Sequence, residues 1–116
     1  MPDKPAGTLL AIKVDRNRTP LVVECSGRLV SGVNNLLYLE VSQLIPGNKR
    51  IVLDLNGLTH MDSMGIGTLV RLYVSARSAG CALELVNVGK PIRQLLGVTN
   101  LIAVFTIIGE NNIKMG

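Results

Sequence analysis

Five residues, Ile51-Val52-Leu53-Asp54-Leu55, constrain the fold more than any other stretch, because their apolar positions do not alternate. A strand with one wet face reads apolar–polar–apolar. A run that is apolar on both sides belongs to a strand covered on both faces, as parallel strands between crossover helices are. The flanking sequence supplies such helices. Upstream, Val33, Leu36, Leu37, Val41 and Leu44 recur at helical spacing, with Ser31 or Gly32 placed to cap the helix and Pro46-Gly47 to end it. Downstream, Ile66, Leu69, Val70, Tyr73 and Ala76 form a core stripe, Gly67, Arg71, Ser75 and Ser78 lie opposite, and Ala79-Gly80 stops the helix.

The other segments complete the order. Residues 8–14 read as a strand and 15–20 as a polar turn. Residues 21–25 form a second strand, which Ser26-Gly27 interrupts, and the short connection predicts an antiparallel hairpin. Residues 56–63 are expected as a loop and 82–88 as a strand. Lys90-Pro91 opens a short helix that runs to Leu96 and closes at Gly97, and Leu101-Ile102 makes one more turn before a last strand over 104–108. Parallel strands joined by helices require right-handed crossovers. The fold expected is a single α/β domain over residues 8–108, with a mixed, mostly parallel sheet, an N-terminal antiparallel hairpin and crossover helices. Residues 1–7 and 109–116 are expected as frayed termini. A chain of 116 residues has no room for a second core.

Composition removes several function classes. The hydrophobic fraction of 47% is mostly Val, Leu and Ile, with no Trp, one Phe and two Tyr, so the chain has little with which to stack on bases, and no direct nucleic-acid contact is expected. The net charge of +4 is spread out. Only Arg16 with Arg18 and Lys49 with Arg50 cluster, both at expected turns, and they read as solvated surface charge. Cys25 and Cys81 fit neither a metal spacing nor a disulfide framework, which predicts buried free thiols in a reducing compartment. No apolar run is long enough to span a membrane, and Met1-Pro2-Asp3-Lys4-Pro5 is no signal peptide. The expectation is a cytoplasmic protein with no membrane insertion.

Chemistry concentrates in Thr59-His60-Met61-Asp62-Ser63-Met64-Gly65-Ile66-Gly67, which follows the buried strand and opens a helix. Sites in open α/β sheets form beyond the carboxyl ends of strands. Asp62 or Ser63 can cap the helix, and an ordinary capped helix would use the same pair. Gly65 and Gly67 disfavour a helix by roughly 0.8–1 kcal/mol each relative to Ala. Close approach of another backbone, or a partner resting on the first turn, would favour them. Enzyme chemistry finds no support: there is no P-loop, no Gly-x-Gly-x-x-Gly after the first strand and no Gly-x-Ser-x-Gly elbow. The single histidine, His60, sits on the same loop as Ser63, and Asp54 reads as a hydrogen-bond acceptor at a strand end. The chain is therefore expected to have no catalytic residues, no metal and no cofactor.

The run from Ile51 through Gly67 closely resembles the signature of STAS domains, found in bacterial anti-sigma factor antagonists and in the cytoplasmic module of sulphate transporters. Gly80 before Leu83-Glu84-Leu85-Val86-Asn87-Val88, and Val98-Thr99-Asn100-Leu101 leading to Val104-Phe105, extend the likeness over about residues 9–108. The resemblance to the free-standing antagonist type implies a partner-switching regulator. Unmodified, such a protein binds an anti-sigma factor that is also a serine kinase. The kinase phosphorylates the serine after the aspartate, here Ser63, and the complex separates; a serine/threonine phosphatase resets the switch. The same resemblance is compatible with a non-switching scaffold or an accessory subunit of a membrane transport or signalling complex, and with a homodimer. Arg28, Met61, Asp62, Met64, Gly65, Ile66 and Gly67 are the expected partner-binding residues. Many antagonists carry Gly-Glu-Leu-Asp after the second strand, where this chain has Gly27-Arg28-Leu29-Val30. That departure implies a different binding geometry, or an acid on the partner that faces Arg28.

Overall fold

The computed structural model describes residues 9–98, 105–108 and 112–115. Two strands open the domain, β1 (Leu10–Asp15) and β2 (Leu21–Leu29), paired as the expected antiparallel hairpin. The turn between them is tightened by the Asn17 N–H, which donates to Asp15 Oδ1 at 3.1 Å. Then follow α1 (Asn34–Leu44), β3 (Arg50–Met61), α2 (Ser63–Ser78), β4 (Ala82–Val86), α3 (Lys90–Val98), β5 (Phe105–Ile108) and β6 (Asn112–Met115). One sheet runs β1-β2-β3-β4-β6-β5. β2, β3 and β4 are parallel neighbours, while β6 lies antiparallel between β4 and β5. Strands β2, β3, β4 and β5 therefore point one way and β1 and β6 the other. The sheet is mixed and mostly parallel in direction, as expected.

The sequence predicts a single strand after α3, over 104–108. Instead β6 intervenes, and residues 112–115 pair with both neighbours where a frayed tail was expected. An exposed edge of unpaired N–H and C=O groups on β4 is a ready template for a further strand. The expected turn at Leu101-Ile102 and the N-terminal residues 1–8 lie outside the described residues.

Strands β2 and β3 are both longer than their sequence suggests. Ser26-Gly27 does not end β2, and residues 56–61 are strand, not loop. The ladder absorbs two register shifts, between Glu24 and Ser26 and between Gly27 and Arg28, and continues to Leu29 opposite Met61. Gly27 permits this because its φ is +94°, a conformation that L side chains resist. The irregular backbone remains satisfied: the Arg28 N–H donates to the Leu9 carbonyl at 2.7 Å and the Thr59 hydroxyl to the Gly27 carbonyl at 3.1 Å. β4 is shorter than expected, ending at Val86. Asn87 turns into the left-handed region at φ 57°, which asparagine tolerates, and its Nδ2 donates to Asp54 Oδ1 at 3.1 Å.

The core is aliphatic. Val23, Leu37, Leu53, Leu55, Leu69, Leu72, Leu83, Leu85 and Leu96 are among its sealed side chains, and truncating any of them to alanine costs about 2–5 kcal/mol. The buried face of α1 is Asn34, Leu37, Val41 and Leu44; Leu36, expected on that face, is 51% exposed. The helix is rotated from its apolar pattern because Asn34 is committed to α2, its Nδ2 donating to Thr68 Oγ1 at 3.0 Å in a buried contact. Val33, without a side-chain cap, precedes the helix, in place of Ser31 or Gly32. On α2, Leu72 is fully buried although sequence assigned it to neither face, while Val70 and Tyr73 are half-buried. The Arg71 guanidinium stacks 4.1 Å above the Tyr38 ring. Tyr38 meets Arg71 as Asn34 meets Thr68, so the two helices run side by side in the same direction. Cys25 and Cys81 are free and buried, and burial pushes the Cys25 thiol up to about 12. Among the described residues no helix is long and apolar enough to cross a membrane.

Candidate functional site

The prolonged β2 and β3 carry the chain past the rest of the sheet and deliver α2 at its carboxyl end. Leu29 and Met61 are paired there, with Arg28 opposite His60 one step before. Asp62 then takes extended backbone angles, φ −115° and ψ −172°, and becomes the N-cap of α2. The first amides of a helix have no carbonyl partner inside it. Asp62 Oδ1 accepts the N–H of Met64 at 3.0 Å and of Gly65 at 3.1 Å. Its other oxygen, Oδ2, accepts the N–H of Ser31 at 2.9 Å, across from the β2–α1 connection. The bond from Ser31 foremost, with those from Gly65 and Met64, holds the Asp62 carboxyl below the usual carboxylate range against a desolvation that raises it by more than either of the latter two lowers it.

Ser63 is the first residue of α2 and is exposed. Among the described residues its hydroxyl has no hydrogen-bond partner, because the capping role falls wholly to Asp62. Met64 beside it is 50% exposed, and Gly67 is half-buried with open space above it. Arg28 is exposed on the same rim and Met61 is half-buried against the core.

Two residues expected at a contact surface are not on it. Ile66 is buried, because the first turn of α2 rolls it toward the sheet, and it offers no apolar area to a partner. Gly65 is buried as well: a Cβ there would run into the Leu29 carbonyl oxygen, so the backbone of β2 approaches the helix too closely for any side chain. Its glycine is explained by internal packing. Gly67 has no such neighbour.

Three residues of this arrangement were not anticipated in these roles. Ser31 anchors the β2–α1 connection to Asp62 instead of capping α1. Asn34 and Thr68 form the buried tie between the helices, and the Thr68 hydroxyl also donates to the Met64 carbonyl at 3.1 Å. The signal for the latter two is a polar residue in core phase on each of two neighbouring helices. His60 is occupied with Thr59, its Nδ1 lying 2.8 Å from the Thr59 hydroxyl, and is exposed.

Comparison with known proteins decides the family. The model for the STAS domain matches residues 11–112, nearly the whole chain. The chain belongs to the STAS domain family. An anti-sigma F factor antagonist of Paenibacillus polymyxa is 27% identical over 100 residues, covering 84% of this chain and 86% of that protein. The crystal structure of an anti-sigma factor antagonist from Mycobacterium paratuberculosis superposes with a TM-score of 0.75 at 18% identity, over 87% of this chain and 86% of that one. The Bacillus cell fate determinant SpoIIAA in its phosphorylated form gives a TM-score of 0.64 at 18% identity, over 78% and 85% of the two chains. The structural likenesses establish the STAS fold, and the rim around Asp62 and Ser63 is where this STAS domain gathers its exposed polar groups at the end of the parallel strands.

Proposed function

We propose that this STAS domain is an anti-sigma factor antagonist that switches partners through phosphorylation of Ser63. The observation that carries the reading is the Ser63 hydroxyl, exposed and unengaged at the first position of α2, beside a carboxylate that already fills the capping site. The family and the antagonist from Paenibacillus polymyxa support the role.

In the unmodified state Arg28, Ser63, Met64 and Gly67, with the edges of Met61 and Asp62, form the surface that meets an anti-sigma factor with serine kinase activity. The kinase supplies ATP. A bond forms between Ser63 Oγ and the γ-phosphorus, the bond from that phosphorus to the ADP oxygen breaks, and the hydroxyl proton passes to a base on the kinase. The product carries about −1.5 to −2 added charge. Within the free domain this charge lies at the positive end of the α2 dipole, where anions are tolerated. Against a docked protein it is desolvated and adjoins the Asp62 carboxylate, and each 1.4 kcal/mol lost lowers affinity about tenfold. The partner leaves, and a serine/threonine phosphatase restores the hydroxyl. On this reading the domain is a cytoplasmic regulator without enzymatic activity of its own.

Incubation with the cognate anti-sigma kinase and ATP, followed by intact-mass measurement, tests the proposal. The wild type gains one phosphate and Ser63→Ala gains none, while both bind the kinase beforehand. Binding without any phosphate transfer to Ser63 would refute the switch and favour a non-switching scaffold.

A further inference from the structure

Two basic stretches that are distant in sequence meet at the opposite end of the strands from Ser63. The β1–β2 turn brings Arg16 and Arg18, the α1–β3 connection brings Lys49, and Arg50 opens β3 beside it. They converge because β2 and β3 are parallel neighbours that start together, Leu21 opposite Ile51. With Pro20 and Leu21 on its wall, the result is one open cleft of about 710 Å3. No carboxylate lines it. Arg50 is fixed in place: its Nε and Nη2 donate to the two oxygens of the buried Glu84, each at 2.8 Å, which leaves Nη1 outside the ion pair on a side chain that is 53% exposed. Asp15, the acid nearest in sequence to Arg16, already accepts the Asn17 N–H. Among the described residues Arg16, Arg18 and Lys49 have no ion-pair partner, and all three are exposed.

We propose that this cleft binds a phosphate-dense anion, either a free oligophosphate or a phosphorylated headgroup. Cations gathered in a concavity repel one another and focus a positive field, which an anion relieves. Guanidinium groups match phosphate oxygens with paired N–H donors, and Lys49 adds a point charge. The cleft has no aromatic side chain in its lining, so the ligand is held through its phosphates and not through a base. The concave shape lets several cations reach one compact anion. The site is independent of the reading given to Ser63.

Calorimetric titration with tripolyphosphate, and co-sedimentation with phosphatidylcholine vesicles containing phosphatidic acid, test the proposal on the whole chain. The wild type should bind at least one probe, and the probe that binds distinguishes a free anion from a headgroup. R16Q/R18Q/K49Q should weaken that binding about tenfold or more at low salt, since three charge-assisted contacts are lost, whereas R16K/R18K, which keeps the charge and loses the paired donors, should weaken it by less than the neutralised variant. Added salt should weaken the wild type. R16Q/R18Q and K49Q, measured separately, carry the same expectation in smaller steps if the triple variant melts early. Failure of the wild type to bind either probe, or undiminished binding by a neutralised variant with wild-type melting, would overturn the assignment.

Discussion

Replacing Gly65 by alanine should destabilise this domain, while the same replacement at Gly67 should stabilise it. In an unconstrained helix each change gains up to about 1 kcal/mol through propensity. At Gly67 nothing lies within 4 Å of the new methyl, so most of that gain is kept. At Gly65 the methyl overlaps the Leu29 carbonyl oxygen and lies 2.9 Å from Met61 Cγ and 3.0 Å from Leu29 Cγ. The side-chain carbons can shift, but the carbonyl cannot do so cheaply. It belongs to β2, paired with β3 through Leu29 and Met61, and it accepts the Asp62 N–H at 3.4 Å. Overpacking of this kind costs about 1–3 kcal/mol. Set against a propensity gain of about 1 kcal/mol, the net loss at Gly65 is about 0–2 kcal/mol, and the two variants should differ by the overpacking cost, about 1–3 kcal/mol. With an m-value of about 2 kcal/mol/M, their urea midpoints should lie about 0.5–1.5 M apart, Gly67→Ala above the wild type and Gly65→Ala below it. Equal stabilisation by both alanines would show that β2 does not press on α2, and the explanation given for the capping geometry would fail with it.

Other consequences are equally direct. Thr68→Val leaves the buried Asn34 amide unsatisfied and should cost about 1–3 kcal/mol. In a double-mutant cycle with Asn34→Leu the pair should show coupling of about 0.5–3 kcal/mol by denaturant titration, and additivity would mean that the two side chains do not interact. Because the Asp62 carboxyl is held below its ordinary value of 3.8, its contribution is fully present above that pH and disappears as pH falls through the lower folded value. Asp62→Asn should therefore flatten the acid limb of the stability profile and leave its alkaline limb unchanged. An acid limb identical to that of the wild type would refute the cap. The Cys25 thiol, pushed up to about 12 by burial and then by the Asp54 charge, should resist maleimide in the native state at mildly alkaline pH and react only at the rate of opening. Rapid native labelling of Cys25 would contradict its burial.

Sequence made the order of elements legible wherever hydrophobic period was the deciding quantity. The non-alternating run at Ile51 to Leu55 is buried between parallel neighbours, and Asp62 sits at the N-cap that its residue type favours. What was hidden depended on contacts between segments. The chain across Ser26-Gly27 and Asn56-Gly57 has the residues of a turn, yet each strand continues because the other supplies a partner through the register shifts. Leu36 satisfies the helical period of α1 but faces solvent, because one buried bond from Asn34 to Thr68 sets the rotation of that helix. Gly65 and Gly67 look equivalent in a string of residues. Only the Leu29 carbonyl separates them, and it lies more than thirty positions upstream.

The same carbonyl bears on how a switch at Ser63 would work. Asp62 already holds the N–H groups of Met64, Gly65 and Ser31, so both of its oxygens are engaged, and Gly65 is clamped against β2. A phosphate on Ser63 could win those amides only by displacing the carboxylate, which would release Ser31 and with it the β2–α1 connection. While the cap holds, the added charge must remain outside the helix, facing whatever rests on Met64 and Gly67. A fixed scaffold with an outward charge is what a local switch needs, since the free domain is nearly unchanged while a docked surface is not. Ser63→Asp should accordingly weaken kinase binding while shifting the melting temperature little. A large fall in melting temperature would mean that the charge competes with Asp62 for the helix amides, and that the switch acts through the fold.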